Sequence, residues 1–199
     1  ELKGYSLIGE GRNGGNNGEY SAIFYNNKKV TLLESETIWL SETPEIPSIG
    51  WDAALNRIVT MGVFTLKDSS KKMIVYNTHF DHIGEIAREK SIDVILNHIK
   101  KNGFLKKELI VMGDFNAEPS DTPIKQLDKF LDDSFDEDID KPYGTFSGFK
   151  IDSKLKKRID YIFIKNIDII QYKHIKTRLL SNLWPSDHIP ILISINKKL

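Results

Sequence analysis

Near its C-terminal end the sequence sets an aspartate beside a histidine in Trp184-Pro185-Ser186-Asp187-His188, between a proline-marked turn and the apolar run Ile189-Pro190-Ile191-Leu192-Ile193. A turn that abuts a buried strand displays its side chains rigidly, and acid–base chemistry needs that rigidity. By itself an Asp-His dipeptide is usually an ordinary surface loop. Three further clusters repeat the pattern at the ends of apolar runs: Asn77-Thr78-His79, Gly113-Asp114-Phe115-Asn116 and Arg158-Ile159-Asp160-Tyr161.

Each cluster has a bland and a chemical reading. Asp114 and Asn116 lie two positions apart, so on a strand they share a face and can orient one water or complete an oxygen-rich cation site. The bland alternative is a strand-ending Asx-turn. Asn77 and His79 also share a face, and Asp81 and His82 follow them. Zinc could take His79, Asp81 and His82 with a water, although no His-x-x-x-His helix supports that, and an acid–base role is preferred. Asp160 interrupts an apolar strand, where an unpaired carboxylate is costly. Its partner is either an imidazole, whose tautomer it would fix, or simply Arg158. No Gly-x-Ser-x-Gly elbow and no cysteine offers a rival nucleophile. The residue types suit a hydrolase that deprotonates water and stabilises an anionic transition state with a metal.

The elements that must hold these residues are mostly strands. Period-two and β-branched runs predict strands at Tyr5–Gly9, Tyr20–Asn26, Val30–Leu40, Arg57–Leu66, Lys72–Thr78, Leu109–Gly113, Ile159–Ile164, Ile167–Ile175 and Ile189–Ile195. Asn26-Asn27-Lys28 and Lys67 to Lys71 look like hairpin turns. Helical period appears over Glu85–Lys101, stopping before Gly103, and over Asp121–Leu131, with Pro123 in the first turn and Asp121 or Thr122 as cap. Asp132 to Asp140 reads as an acidic surface loop. Gly11 to Gly18 reads as a loop that lacks the Lys-Ser/Thr ending of a phosphate-binding P-loop. Strands interleaved with helices indicate sheets covered by helices.

Composition narrows the function. The sequence has 199 residues, 40% hydrophobic and 28% charged, enough for one domain with a substantial core. Lys+Arg and Asp+Glu both number 28, so no basic excess favours a nucleic-acid binder that relies on phosphate neutralisation; Lys154-Leu155-Lys156-Lys157-Arg158 is a local basic run. The absence of cysteine excludes disulfides and thiolate metal sites. No apolar stretch is long enough to span a bilayer and no signal-peptide pattern opens the sequence; the compartment is left open, with the cytoplasm favoured. Trp39, Trp51 and Trp184 are read as core.

In their order and spacing, the four clusters resemble the endonuclease/exonuclease/phosphatase superfamily with the DNase I-like fold. Trp39-Leu40-Ser41-Glu42-Thr43-Pro44, Gly50-Trp51-Asp52 and Arg57 resemble a bacterial branch of it. The resemblance implies an α/β fold, a four-layer α/β sandwich in which two mainly antiparallel β-sheets pack face to face with helices outside. It implies Mg²⁺-dependent hydrolysis (Mn²⁺ as substitute) of a phosphate ester drawn from nucleic acids, nucleotides, lipids or sugar phosphates; no protein partner is predicted. Carried over by motif, His188 contacts the scissile phosphate or acts as base, and Asp160 orients it. Asp187 binds the metal, Asp114 positions or deprotonates water, and Asn116 holds water or phosphate. His79 contacts phosphate or assists the leaving group, supported by Glu19, while Arg57 and Asn77 bind substrate.

An Asn on the first strand and a metal-binding Glu, both expected upstream, have no counterpart here. The chain starts at Glu1 rather than Met. It is therefore expected to be one domain over 1–199 that lacks its first strands, part of a longer protein. A binding module of the same fold with impaired catalysis is the alternative reading, and the zinc hydrolase a third.

Overall fold

The computed structural model describes residues 2–67, 70–136 and 144–196. Its strands are β1 (Tyr5–Ile8), β2 (Ile23–Asn26), β3 (Val30–Trp39), β4 (Ile58–Leu66), β5 (Lys72–His79), β6 (Glu108–Asp114), β7 (Asp132–Asp133), β8 (Asp160–Lys165), β9 (Ile169–His174) and β10 (Ile191–Ile195). Two α-helices, α1 (Glu85–Lys101) and α2 (Thr122–Leu127), accompany them, and a short 3₁₀ turn at Phe104–Lys106 leads from α1 into β6. Six strands form one sheet in the order β3-β4-β5-β6-β8-β7, antiparallel except for the β5–β6 pair. That parallel pair needs a crossover, and α1 supplies it.

Alternation divides the strands into two faces. Ile74 and Tyr76 of β5, Leu109 and Val111 of β6 and Tyr161 and Phe163 of β8 are buried with Ile92, Ile95 and Ile99 of α1 and Ile124 and Leu127 of α2 in one cluster. Burying each such side chain stabilises the fold by about 1.5–3 kcal/mol. The intervening residues, Asn77, His79, Met112, Asp114, Asp160 and Ile162, line a cavity on the opposite face. There the sheet meets two small antiparallel pairs, β1–β2 and β9–β10. Ile8 and Ile23 pack on Phe64 of β4, and β10 lies against β8. The expected α/β sandwich is borne out, its second sheet present as two pairs with a cavity of about 390 Å³ between them.

Several boundaries differ from the sequence reading. The Asn26–Lys28 turn joins two different sheets, because β2 pairs with β1 and β3 with β4; the Asn26 side chain accepts the Lys28 N–H and the Asn27 N–H donates to Gly4. The Lys67–Lys71 turn connects antiparallel neighbours, although its residues 68 and 69 lie outside the described residues. Helix α2 ends at Leu127, four residues early. Asp121 precedes it without capping it, since its carboxylate accepts the Glu118 N–H instead. Within the acidic stretch, Asp132 and Asp133 form β7 because Asp133 is pinned to Arg158 at 2.7 Å; residues 137–140 of that stretch lie outside the described residues. Trp39 and Trp184 are buried as expected, whereas Trp51 is half-buried with a positive φ of 47°.

Candidate active site

Sheet register gathers the chemistry. His79 pairs with Asp114 across β5–β6, and Asp114 pairs with Asp160 across β6–β8. Three ionisable side chains therefore stand in one row on one face, at the same end of three adjacent strands. Gly113 makes this row possible. Its φ is +139°, and a Cβ there would lie 1.9 Å from the Thr78 carbonyl oxygen, so a side chain would push β5 and β6 apart just before Asp114.

Loops bring the remaining members. The Gly-rich loop folds into a ladder, with Gly11 bridging Tyr20 and the Arg12 N–H donating to the Glu19 carbonyl. Glu19 thereby reaches His79, whose Nδ1–H donates to Oε1 at 2.9 Å, while Arg12 donates to Oε2 at 2.8 Å. His188 is delivered by a segment absent from the sequence reading. The buried Thr145 Oγ1 accepts the N–H groups of Ile159 and Asp160, its carbonyl accepts the Ile189 N–H, and Ser147 donates to the Asp187 carbonyl. A Thr-x-Ser next to a basic loop has no signature that would single it out beforehand. It fastens the strand of Asp160 to the loop of His188, whose Nδ1–H donates to Asp160 Oδ2 at 2.8 Å.

The result is a chain of five groups, Glu19, His79, Asp114, His188 and Asp160. Each imidazole gives its Nδ1–H to an outer carboxylate and turns Nε2 toward Asp114 Oδ2, at 3.4 Å from His79 and 3.8 Å from His188. The electrostatics follow from this order. The hydrogen bond to Asp160 raises the pKa of His188 to about 9, against the opposing effect of burial. Burial and then the Asp160 charge raise Asp114 above the usual carboxylate range, more than the two imidazoles lower it. Burial pulls Glu19 upward, but His79, Arg12 and Arg57 outweigh it and hold it low.

Five of the residues singled out in the sequence, Glu19, His79, Asp114, Asp160 and His188, thus meet in one place. Others are placed differently. Asp160 pairs with His188 rather than Arg158, which goes to Asp133. Asp114 serves both of its readings: Oδ1 accepts the Asn116 N–H as an Asx-turn, and Oδ2 faces the histidines. Asn116, at φ 46°, donates its side-chain amide to Phe80 O, and Asn77 donates its amide to Ala22 O while lining the cavity. Arg57, expected on a phosphate, is 5% exposed and spends Nε on Asp81 and Nη2 on His82.

That same pair corrects the zinc reading. Burial opposes ionisation of Asp81, yet the N–H groups of Gly84 and Ile83 and the Arg57 guanidinium hold it far below the usual range. Asp81 points inward, and His79, Asp81 and His82 form no metal-capable group among the described residues. The group that does form is Asp114, Asp160 and His188, with ligand atoms within 4.8 Å of one another. Asp187, expected as the metal ligand, is not in it. It lies close enough to help raise His188, and its backbone carbonyl is held by Ser147. Two crowded carboxylates suit a hard divalent cation, which would relieve the repulsion that raises Asp114.

A sandwich whose strand ends present paired carboxylate–imidazole units around a central aspartate has the acid–base groups that a hydrolase uses. The model described as the Endonuclease/Exonuclease/phosphatase family matches residues 4–188, and the chain belongs to that family. It is similar to an endonuclease/exonuclease/phosphatase family protein of Bacteroides thetaiotaomicron, 36% identical with a TM-score of 0.89 over 98% of this chain and 76% of that one. A mannosyl-6-phosphatase of the same organism is 34% identical, with a TM-score of 0.87 over 98% of this chain and 78% of that one. An uncharacterised protein of Acanthamoeba polyphaga mimivirus is 28% identical over 195 residues, covering 86% of this chain and 68% of that protein. Members of the family generally work with a divalent metal, and the Asp114–Asp160–His188 group could hold one. No helix among the described residues is long and apolar enough to cross a membrane.

Proposed function

We propose that the protein hydrolyses phosphate esters with Mg²⁺, or Mn²⁺ in its place, and that its substrates are small monoesters rather than nucleic acid. The observation that carries this reading is Asp114 Oδ2 held between two imidazole Nε2 atoms. The preference for a small monoester rests on the zero net charge and on the 34% identical mannosyl-6-phosphatase.

Asp114 and Asp160, the carboxylates of the Asp114–Asp160–His188 group, are the residues that would hold the metal; when bound, it supplies positive charge to the phosphoryl oxygens. The rest is done by the chain. His188, kept protonated by Asp160, binds a phosphoryl oxygen as a cation. Asp114, with its raised pKa, takes a proton from the attacking water as the water oxygen forms its bond to phosphorus. The bond from phosphorus to the ester oxygen breaks, and His79, held by Glu19, gives the departing oxygen a proton. The proton on Asp114 then returns to His79, 3.4 Å away, restoring both groups.

Turnover of an aryl phosphate monoester and a bis-aryl diester across a panel of Mg²⁺, Mn²⁺ and Zn²⁺ tests this. The reading expects Mg²⁺- or Mn²⁺-dependent release from the monoester, lost in His188→Ala. Absence of turnover with either metal overturns it and favours a binding module; activity confined to Zn²⁺ and lost in His82→Ala favours a zinc hydrolase.

A further inference from the structure

Arg158 pairs with Asp133, but the lysines before it, Lys154, Lys156 and Lys157, are exposed. They stand on one arm of a hairpin, in which the N–H groups of Gly144 and Thr145 donate to the carbonyls of Leu155 and Lys157. The tip of that hairpin carries Phe149, Lys150 and Ile151, all exposed. Phe149 is held there at a φ of 60°, which strains a bulky residue, and its N–H donates to Ser147 Oγ at 3.2 Å. A second tip, Leu179 to Leu183, is closed by the Leu179 N–H on the Leu183 carbonyl. It leaves Leu179, Leu180 and Leu183 exposed, Leu180 completely. Two bonds set the tips side by side: Arg178 Nη2 donates to the Ile151 carbonyl at 2.8 Å and Trp184 Nε1 to the Lys150 carbonyl at 3.0 Å. Trp184, Leu155 and Ile189 form a small core beneath them.

We propose that this double tip docks the protein on an anionic lipid surface. The chain is neutral overall, yet across residues 147–157 and 178–186 the cations Lys150, Lys154, Lys156, Lys157 and Arg178 stand against one acid within the tips, Asp152, and Asp187 follows next in the chain. An exposed apolar patch with a polar rim marks an interaction site. Side chains that project singly into water, ringed by lysines, fit a deformable apolar layer beneath negatively charged headgroups. The apolar tips enter the acyl boundary while the ammonium groups stay level with the lipid phosphates. Single-stranded nucleic acid would need stacking faces, and Trp184 is buried under the Arg178 guanidinium, 3.3 Å from its ring centroid. Docking would also set the catalytic cavity close to the lipid, because the N–H groups of Ser147 and Gly148 hold the Asp187 carbonyl next to His188. Binding of this kind needs no turnover, so it is independent of the hydrolytic reading.

Co-flotation with unilamellar vesicles tests this, with phosphatidylcholine alone and with phosphatidylcholine containing one third phosphatidylserine. The wild type is expected to float with the anionic vesicles, several-fold less with the neutral ones, and to be released as salt rises. Leu180→Ser, alone and with Phe149→Asn, alters only exposed side chains, and Lys154→Gln with Lys156→Gln removes charge alone. The partition coefficient should fall at least about fivefold in Leu180→Ser. It should fall by about 25-fold in the lysine pair, near fivefold for each cation at an anionic surface. No flotation with the anionic vesicles, equal flotation with the neutral ones, or wild-type partition in Leu180→Ser or in the lysine pair overturns the proposal. A shifted single-stranded oligonucleotide from a protein that ignores the vesicles would overturn it too, and make nucleic acid the partner.

Discussion

Asp114 sits between influences of opposite sign: burial and the Asp160 charge raise its pKa, and the imidazoles of His79 and His188 lower it. A carboxylate whose pKa is raised this way is a better proton acceptor than an exposed one. Asp114→Asn keeps the shape and removes the acceptor; it is expected to lower kcat by about 100-fold or more with an unchanged circular-dichroism melt, and an undiminished rate would remove Asp114 from the mechanism. His188 has its own signature. Its folded pKa of about 9 lies above the ordinary 6.5, so the stability its pairing contributes is complete below the unfolded value and is lost as pH rises through about 9. In chelated protein the imidazole Cε1 proton should titrate with that high midpoint, and Asp160→Asn should move it down toward 6.5; an unmoved midpoint would mean that Asp160 is not the cause. The positions stood out in the sequence because His79 and Asp114 close apolar runs and Asp160 interrupts one, while the roles proposed for them came from the resemblance. The role of Arg57 was not legible, since a buried ion pair and a phosphate contact look alike in one dimension.

The elements that hold the row have requirements of their own. Strands β5 and β6 approach so closely at Gly113 that the positive φ and the contact with Thr78 O admit no side chain. Gly113→Ala is expected to cost roughly 1–3 kcal/mol in backbone strain, seen as a lower denaturant midpoint, together with a fall in activity as His79 and Asp114 lose register. A variant as stable and active as the wild type would show that the strands can separate freely. Arg57 belongs at this scale too, as the buried partner of Asp81. Arg57→Met should destabilise by about 3 kcal/mol, the order expected when a buried pair is broken, with a smaller effect on KM; a raised KM at unchanged stability would return Arg57 to the substrate. Alternation located nearly every strand. It missed β7, whose two residues are held by the Asp133–Arg158 pair, and it overran α2, where apolar spacing continues into Phe130 and Leu131 after the helix has ended.

At the scale of the whole molecule, the order of strands was beyond periodicity. Nothing local in Asn26-Asn27-Lys28 says that the chain leaves one sheet for another, because the decision is made by which edges are free to pair, β1 for β2 and β4 for β3. The resemblance carried the sandwich, and the family match over residues 4–188 bears it out. Loops and strand ends from Glu19 to His188 converge on one face of that sandwich, at the register row. The central claim is that this row adds water to phosphorus. Hydrolysis of a phosphate monoester in ¹⁸O-labelled water with Mg²⁺ measures that directly, by mass spectrometry of the released phosphate. The account predicts one labelled oxygen per phosphate from the wild type and a rate reduced by at least about 100-fold in Asp114→Asn. Unlabelled phosphate, or labelled phosphate released equally fast by Asp114→Asn, would contradict it.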